Sequence, residues 1–409
     1  MAHSTTLTQV HGLRPVAEHQ AFIRAIIPTR PCRLVPLDMA EGRVLAADVI
    51  AACAVPAFDN SGVDGYAVAS ADLATAGPQS PAVLPVLADI SAGCGDAPPL
   101  RRGAAHRIMT GAPVPPGADA VVPIELTDRG LRYVCMTAAT AAGANIRRRG
   151  EDIQPGTTAL PAGTVLGAAQ LGLLSALGQR QVPVRPPLRV LLVSTGSELA
   201  APGAIPGAGQ VRDANSIMLA AALRGCGAVV QQSRVVRDDA TELLQVIERA
   251  APDIDVVLTS GGISAGAYEV VKEALAPHGI EFTQVAMQPG RPQGAGVFDG
   301  LPVVALPGNP VSALISFEVL VRPALRAAMG FSPPTRRTAI WTLADPVDSR
   351  RDLHQFRLGA GGPDETLTVL SGHQAHSLSA AARSSWLLEI APEITHLPAG
   401  AYCAAWCLD

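Results

Sequence analysis

At Pro186 the chain changes texture, and that change limits the possible folds more than any other feature. Arg189-Val190-Leu191-Leu192-Val193-Ser194 is a near-continuous aliphatic run, the pattern of a strand covered on both faces in a parallel sheet. The turn Thr195-Gly196-Ser197-Glu198 follows it directly. A helix over Ser216 to Leu223, a strand at Ala228-Val229-Val230, a helix over Ala240 to Ala250 and a strand at Val256-Val257-Leu258-Thr259 come next. This alternation, running to about Met329, predicts an open, mostly parallel sheet with right-handed crossovers. In such sheets ligands sit beyond the carboxyl ends of the strands. Thr195-Gly196 and Ser260-Gly261-Gly262 fall there.

The 409 residues exceed what one core can serve, so two to four domains are expected. Helical periodicity in Phe22-Ile23-Ala25-Ile26-Ile27 opens the chain, with a short strand after Pro31. Short β-type runs punctuated by Gly and Pro fill Val49 to about Ala144. Arg147 to Gly178 returns to a turn, a strand and a helix, which is expected to pack on the N-terminal helix. Past Pro333-Pro334 the short strands of a barrel-like end domain resume. The division is 1–50 with 145–182 as a discontinuous N-terminal domain, 51–144 as an inserted small β domain, 183–330 as the α/β domain, and 331–409 as the end domain.

Charge is balanced, with 31 Lys and Arg against 35 Asp and Glu, and without like-charge blocks. No nucleic-acid or membrane-surface partner is indicated. No apolar run of about eighteen residues exists for a membrane span, and Met1 to Val10 is polar, so a cytoplasmic location is expected. The seven cysteines form no CxxC pair and are expected to be buried small hydrophobes, neither disulfide frame nor zinc site.

Four segments carry chemistry. Pro56 to Val68 packs Asp59, Asn60, Ser61, Gly62, Asp64 and Gly65 into one turn-prone stretch, built to hold something polar or to serve only as an elaborate turn. Ser194-Thr195-Gly196-Ser197-Glu198 offers hydroxyls, free N–H groups and a carboxylate at a strand end, suited to a phosphate or oxyanion and a metal or water. Thr259 to Gly266 is a second such turn, with Glu269 in the helix after it. Leu306-Pro307-Gly308-Asn309-Pro310-Val311-Ser312-Ala313 is a third, before a helix expected to be capped near Ser312. Each has a plain reading as a rigid connecting turn, and Arg147-Arg148-Arg149 has one as a solvated or domain-bridging charge run.

PxFDNSxxDGYA, IMTGAPVPPGADAVV (Ile108 to Val122), GANIRRRGEDI (Gly143 to Ile153), STGSEL, TSGGIS, QPGRP (Gln288 to Pro292) and LPGNPVSAL occur in one order along most of the chain. The set resembles the MoeA family of molybdenum cofactor biosynthesis, which shares its signature with the E domain of gephyrin. The resemblance implies four subdomains, including a MogA-like open α/β sheet domain and small β domains, in an elongated homodimer whose cleft takes elements of both subunits. It implies a molybdopterin molybdenumtransferase that inserts molybdate into adenylylated molybdopterin with release of AMP. The molybdopterin adenylyltransferase is then a candidate partner. Functional positions carried over are Asp64, Thr110, Asp152, Glu198, Asp238 and Glu269.

Within that resemblance, Glu198 with Asp238 or Glu269 is expected to ligate Mg²⁺, a hard cation suited to carboxylate oxygens. Ser194, Thr195, Gly196, Ser260, Gly261 and Gly262 would cradle pterin and phosphate. Arg291 and the turn formed by Pro307, Gly308, Asn309 and Ser312 would hold molybdate. Asp64 and Asp152 would orient water or the pterin nitrogens. Four departures bear on the site: Ser197 and Ala267 stand where the family has carboxylates, Glu269 replaces an aspartate, and Gln288 replaces a lysine. The alternative is a non-catalytic paralogue that holds molybdopterin or scaffolds another protein.

Overall fold

In a computed structural model, residues 12–200, 203–264, 269–370 and 377–408 are described. The aliphatic run forms the strand Arg189–Thr195, nearly all of it buried. It lies between Val229–Val236 and Val256–Ser260, parallel to both. Leu301–Leu306 continues the sheet in parallel. Pro292–Phe298 and Ile280–Gln284 then finish it as antiparallel strands.

Strand alternation sorts the side chains into two cores. Leu192, Leu258 and Val304 pack with Leu219 and Leu223 of the helix Asn215–Gly225 and with Val311 and Leu325. Leu191, Val193, Val257 and Val303 pack with Leu243 and Ile247 of the helix Ala240–Ala250 and with Val271 and Leu275 of Val270–Leu275. Asp239 starts the helix Ala240–Ala250 by accepting from the N–H groups of Thr241 and Glu242, which satisfies donors that a helix leaves free at its first turn.

The N-terminal helix Val16–Ile26 buries Val16, His19 and Ile23, one face at i, i+3 and i+7 spacing. This face joins the α/β core, with Gln20 Nε2 donating to the Val319 carbonyl at 2.8 Å. The expected packing against the helix Ala168–Ala176 does not occur: Leu174 of that helix sits in a separate core with Leu45, Val49, Leu166, Val182 and Val184. That core backs the small sheet of Arg33–Pro36, Gln181–Arg185 and Val44–Leu45. The inserted region forms a five-stranded sheet in the order Ala120–Pro123, Gly65–Val68, Ala105–Ile108, Ala82–Ile90, Tyr133–Met136.

The end domain closes on itself. His354–Gly361 pairs with both Thr366–Val369 and Trp386–Ile390, while Thr338–Leu343 and Tyr402–Cys407 complete the circuit. Closure leaves no open edge between those strands. One further pair ties the barrel to the α/β domain, where Met287 and Gln288 run parallel to His354 and Gln355.

All seven cysteines are free, but only Cys226 and Cys403 are buried. The expectation of burial therefore fails for the other five, with Cys32 and Cys53 exposed. Among the described residues no helix is long and apolar enough to cross a membrane.

Candidate functional site

Beyond the carboxyl ends of the parallel strands lies a pocket of about 460 Å³ whose walls are the three glycine turns. In the first, the Glu198 carboxylate folds back over Gly196, so close that a Cβ there would lie 2.7 Å from its oxygens. Ser197 and Asp238 bond reciprocally: Ser197 N–H donates to Asp238 Oδ2 at 2.9 Å, and Asp238 N–H donates to Ser197 Oγ at 3.2 Å. Serine at 197 thus serves as the acceptor that fixes Asp238. An aspartate there would set two carboxylates against each other.

The second turn has Gly261 at φ +96° and Gly262 at φ +64°, a region that side chains other than glycine enter at a cost. A Cβ on Gly261 would come 2.6 Å from the Thr195 carbonyl oxygen. Glu269 precedes the helix Val270–Leu275, and its Oε2 accepts from Ser264 N–H at 2.6 Å. Ala267, one of the departures, lies outside the described residues.

The third turn abuts the second, since a Cβ on Gly308 would be 3.3 Å from Gly261 Cα. Its helix, Pro310–Ser316, begins at Asn309 with Pro310 in the first turn, and the Asn309 side chain makes no capping bond. The cap is therefore Asn309, three residues before the expected Ser312, because proline lacks an N–H and suits the first helical position. Ser312 lines the pocket.

Three carboxylates, Glu198, Asp238 and Glu269, line this pocket, and no Lys or Arg among the described residues does. Thr195, Ser264 and Ser312 add hydroxyls to this wall, while that of Ser260 is engaged by Asn215 and the Pro307 carbonyl. Hard oxygens suit Mg²⁺, which commonly takes one or two carboxylates and leaves its other positions to water and substrate phosphates. Among the described residues no three His, Cys, Asp or Glu side chains gather closely enough to hold a metal ion by themselves.

Two sequence candidates stand beside the pocket. Ser194 is buried behind the wall, its Oγ accepting from Ser216 Oγ at 2.9 Å. Arg291 lies between Gly290 and Pro292, which do line the pocket, but is not itself part of the wall. Its carbonyl accepts from Val285 N–H at 2.7 Å. Gln288 is also off the wall.

Asp64, Thr110 and Asp152 are likewise absent from this wall. Asp64 Oδ1 accepts from both the N–H and the hydroxyl of Thr110 at 2.7 Å, and these bonds, the backbone one foremost, hold its carboxyl below the usual range. Asp59 takes Arg149 N–H and the Arg148 guanidinium, each at 2.7 Å, and is lowered by them in that order. The arginine run therefore bridges two segments. Asp152 is exposed, its N–H donating to the Val55 carbonyl at 3.1 Å.

Sequence reasoning missed Asn215, which lines the pocket from the start of its helix. A usable signal was present in Asp213-Ala214-Asn215-Ser216: Asp213 Oδ1 accepts from Ser216 N–H at 3.1 Å, a side-chain acceptor three residues ahead of its donor.

A mostly parallel sheet with glycine turns at its strand ends is the class of α/β fold that takes small-molecule ligands beyond the carboxyl ends of its strands. Residues 14–178 match the MoeA N-terminal region (domain I and II), and residues 191–327 match the probable molybdopterin binding domain. The chain is 46% identical over 404 residues to molybdopterin molybdenumtransferase 2 of Mycobacterium tuberculosis, covering 96% of this chain and 99% of the relative. It is 34% identical over 369 residues to the molybdopterin molybdenumtransferase of a Nostoc species, covering 85% and 84%. The crystal structure of the molybdopterin biosynthesis MoeA protein from Pyrococcus horikoshii is similar at a TM-score of 0.81 and 31% identity, over 97% of this chain and 99% of that one. This chain belongs to the MoeA family.

Proposed function

We propose that this protein is a molybdenum insertase, a transferase of molybdenum cofactor biosynthesis that takes adenylylated molybdopterin and molybdate and releases AMP. The observation that carries the reading is the strand-end pocket itself, with three glycine turns and three carboxylates, in a chain 46% identical to a curated molybdopterin molybdenumtransferase over nearly its full length.

In this reading the open N–H groups and hydroxyls of the turns bind the phosphates and the flat ring, since backbone dipoles at strand ends favour anions. Both substrates are anionic while the described wall carries only acidic charge, so countercharge has to come from outside it. Glu198 with Asp238 or Glu269 would hold Mg²⁺, which would neutralise phosphate charge when bound. Ser197 N–H and Ser264 N–H keep two of these carboxylates aimed by their bonds to Asp238 and Glu269. Asp64, Asp152 and Thr110 would act from a second subunit of a homodimer, where the Asp64 carboxylate, kept ionised by Thr110, would accept a proton from water or a pterin N–H.

Purified protein mixed with adenylylated molybdopterin, Mg²⁺ and molybdate should release AMP in proportion to the cofactor formed. Tight binding of the adenylylated substrate without AMP release would favour a holding protein and sink the enzyme reading.

A further inference from the structure

Two of the three turns that wall the pocket are joined by a single side chain. Asn215 Nδ2 donates to Ser260 Oγ at 2.8 Å and to the Gly308 carbonyl at 2.8 Å. Ser260 Oγ in turn donates to the Pro307 carbonyl at 3.1 Å. The carbonyl of Gly308 can only accept, so the Asn215 amide has one permitted orientation. Its Oδ1 is buried and has no partner among the described residues. All the bonding of this side chain is thus spent on the two turns, and an acceptor is left unpaired, which ordinarily costs stability.

The helix that carries Asn215 is itself anchored to the sheet. Asp213 Oδ1, just ahead of the helix, accepts from Ser216 N–H, and Ser216 Oγ donates to Ser194 Oγ on the strand Arg189–Thr195. The pin therefore has a fixed base, the carboxyl end of Arg189–Thr195. At the other end it holds Gly308 against Gly261, backbone to backbone.

We propose that Asn215 is a positioning residue for ligand binding, fusing the Ser260-to-Gly262 turn and the Pro307-to-Asn309 turn into one continuous backbone wall. The proposal rests on the reading above, that this pocket takes a pterin bearing a phosphate. Asparagine fits the role because one planar –NH₂ group donates twice in diverging directions. Leucine has the same size and neither donor. Aspartate has the shape but, when ionised, would set its charge against the Gly308 carbonyl. Once protonated it regains one donor.

That last property gives a test that mere loss of folding would not mimic. Binding of 6-hydroxymethylpterin and of AMP is measured by calorimetry at pH 8.5 and pH 5.5 for the unmodified protein, Asn215→Leu, Asn215→Asp and Ser260→Ala. Asn215→Leu should weaken both probes roughly tenfold at either pH, the loss expected for removing about one to two hydrogen bonds. Asn215→Asp should be equally weak at pH 8.5 and recover several-fold at pH 5.5, relative to the unmodified protein at the same pH. Ser260→Ala should lose less than Asn215→Leu, and the double variant should lose no more than Asn215→Leu alone.

Pterin binding by Asn215→Asp that equals the unmodified protein at pH 8.5, or that shows no recovery at pH 5.5 while the variant remains folded, overturns the proposal and leaves the pterin reading standing. If Asn215→Leu does not fold, Ser260→Ala and Asn215→Asp decide alone. Failure of the unmodified protein to bind either probe overturns the pterin reading, and the positioning role falls with it.

Discussion

Asp64 and Thr110, 46 residues apart, meet in a two-pronged contact in which one carboxylate oxygen takes both the N–H and the hydroxyl of the threonine at 2.7 Å. Charge-assisted bonds of this kind favour the ionised form. Asp64 is exposed to solvent, and in the proposed function its carboxylate is the proton acceptor.

Asp64→Asn should therefore abolish AMP release while the melting temperature moves by no more than about 2 °C, the range of a surface substitution. Thr110→Val, which keeps the backbone bond and removes the hydroxyl, should raise the carboxyl of Asp64 part of the way toward its ordinary value and lower the rate at about pH 4 and below more than at neutral pH. Because the folded-state value is depressed, the contribution of this contact is present above the unfolded value and is lost as pH falls through the folded one. Thermal melts beside the AMP assay decide; full activity of Asp64→Asn would reduce the segment from Pro56 to Val68 to a turn.

Gly261→Ala should harm binding and stability together. The residue sits at φ +96°, and the added methyl would meet the Thr195 carbonyl at 2.6 Å, so the turn has to shift, at a cost of about 1–3 kcal/mol. Chemical denaturation should read that loss, and calorimetry with AMP should show weakened binding in the fraction that remains folded. Wild-type affinity in Gly261→Ala would show that the second turn does not shape the wall.

Gln288→Lys would restore a cation before the Pro289-Gly290 turn, but the fold gives no reason to expect tighter molybdate binding from it. Gln288 belongs to the two-residue strand that ties the α/β domain to the barrel, and its Oε1 is buried. An ammonium placed there would be desolvated with no carboxylate assigned to it. The variant should melt lower and leave the molybdate concentration for half-maximal AMP release unchanged; a lowered requirement would bring Gln288 back to the molybdate site.

His19 supplies a pH dependence. It is fully buried on the N-terminal helix, neither ring nitrogen has a partner among the described residues, and burial foremost pushes it down to about 4 from the usual 6.5. A base with a depressed folded value binds protons more readily unfolded, so its neutral form is favoured above pH 6.5 and stability falls as pH drops from 6.5 toward 4. The full shift is worth on the order of 3 kcal/mol. His19→Leu should flatten the acid limb of a stability-against-pH curve between pH 7 and 5, measured by denaturant unfolding. An unchanged limb would place the acid sensitivity elsewhere.

The residues that announce themselves in the sequence are those whose partners are close along the chain. The aliphatic strand Arg189–Thr195 reads correctly because burial on both faces imposes a run without polar breaks. The helix Ala240–Ala250 reads correctly because Asp239 and the apolar face are both local signals. The N-terminal helix shows which face is buried but not what buries it, so its docking on the α/β core could not be foreseen. Glu198, Asp238 and Glu269 are 71 residues apart end to end and were legible as a group only through motifs; the fold brings them to one pocket. Asn215 stayed hidden because its importance lies in two acceptors, 45 and 93 residues further on.

The strand pairing of Met287 and Gln288 with His354 and Gln355 makes the barrel part of the architecture of the pocket. Gln288 is followed at once by Pro289 and Gly290, and Gly290 is already on the pocket wall. A tug on the barrel is therefore transmitted through two residues to that wall. Cutting the chain after Met329 would leave an α/β fragment with this corner untethered, and exchanging barrels between relatives would carry over the stiffness of the corner along with the barrel. The end domain is a guy-rope for the site, and its removal is a change to the site.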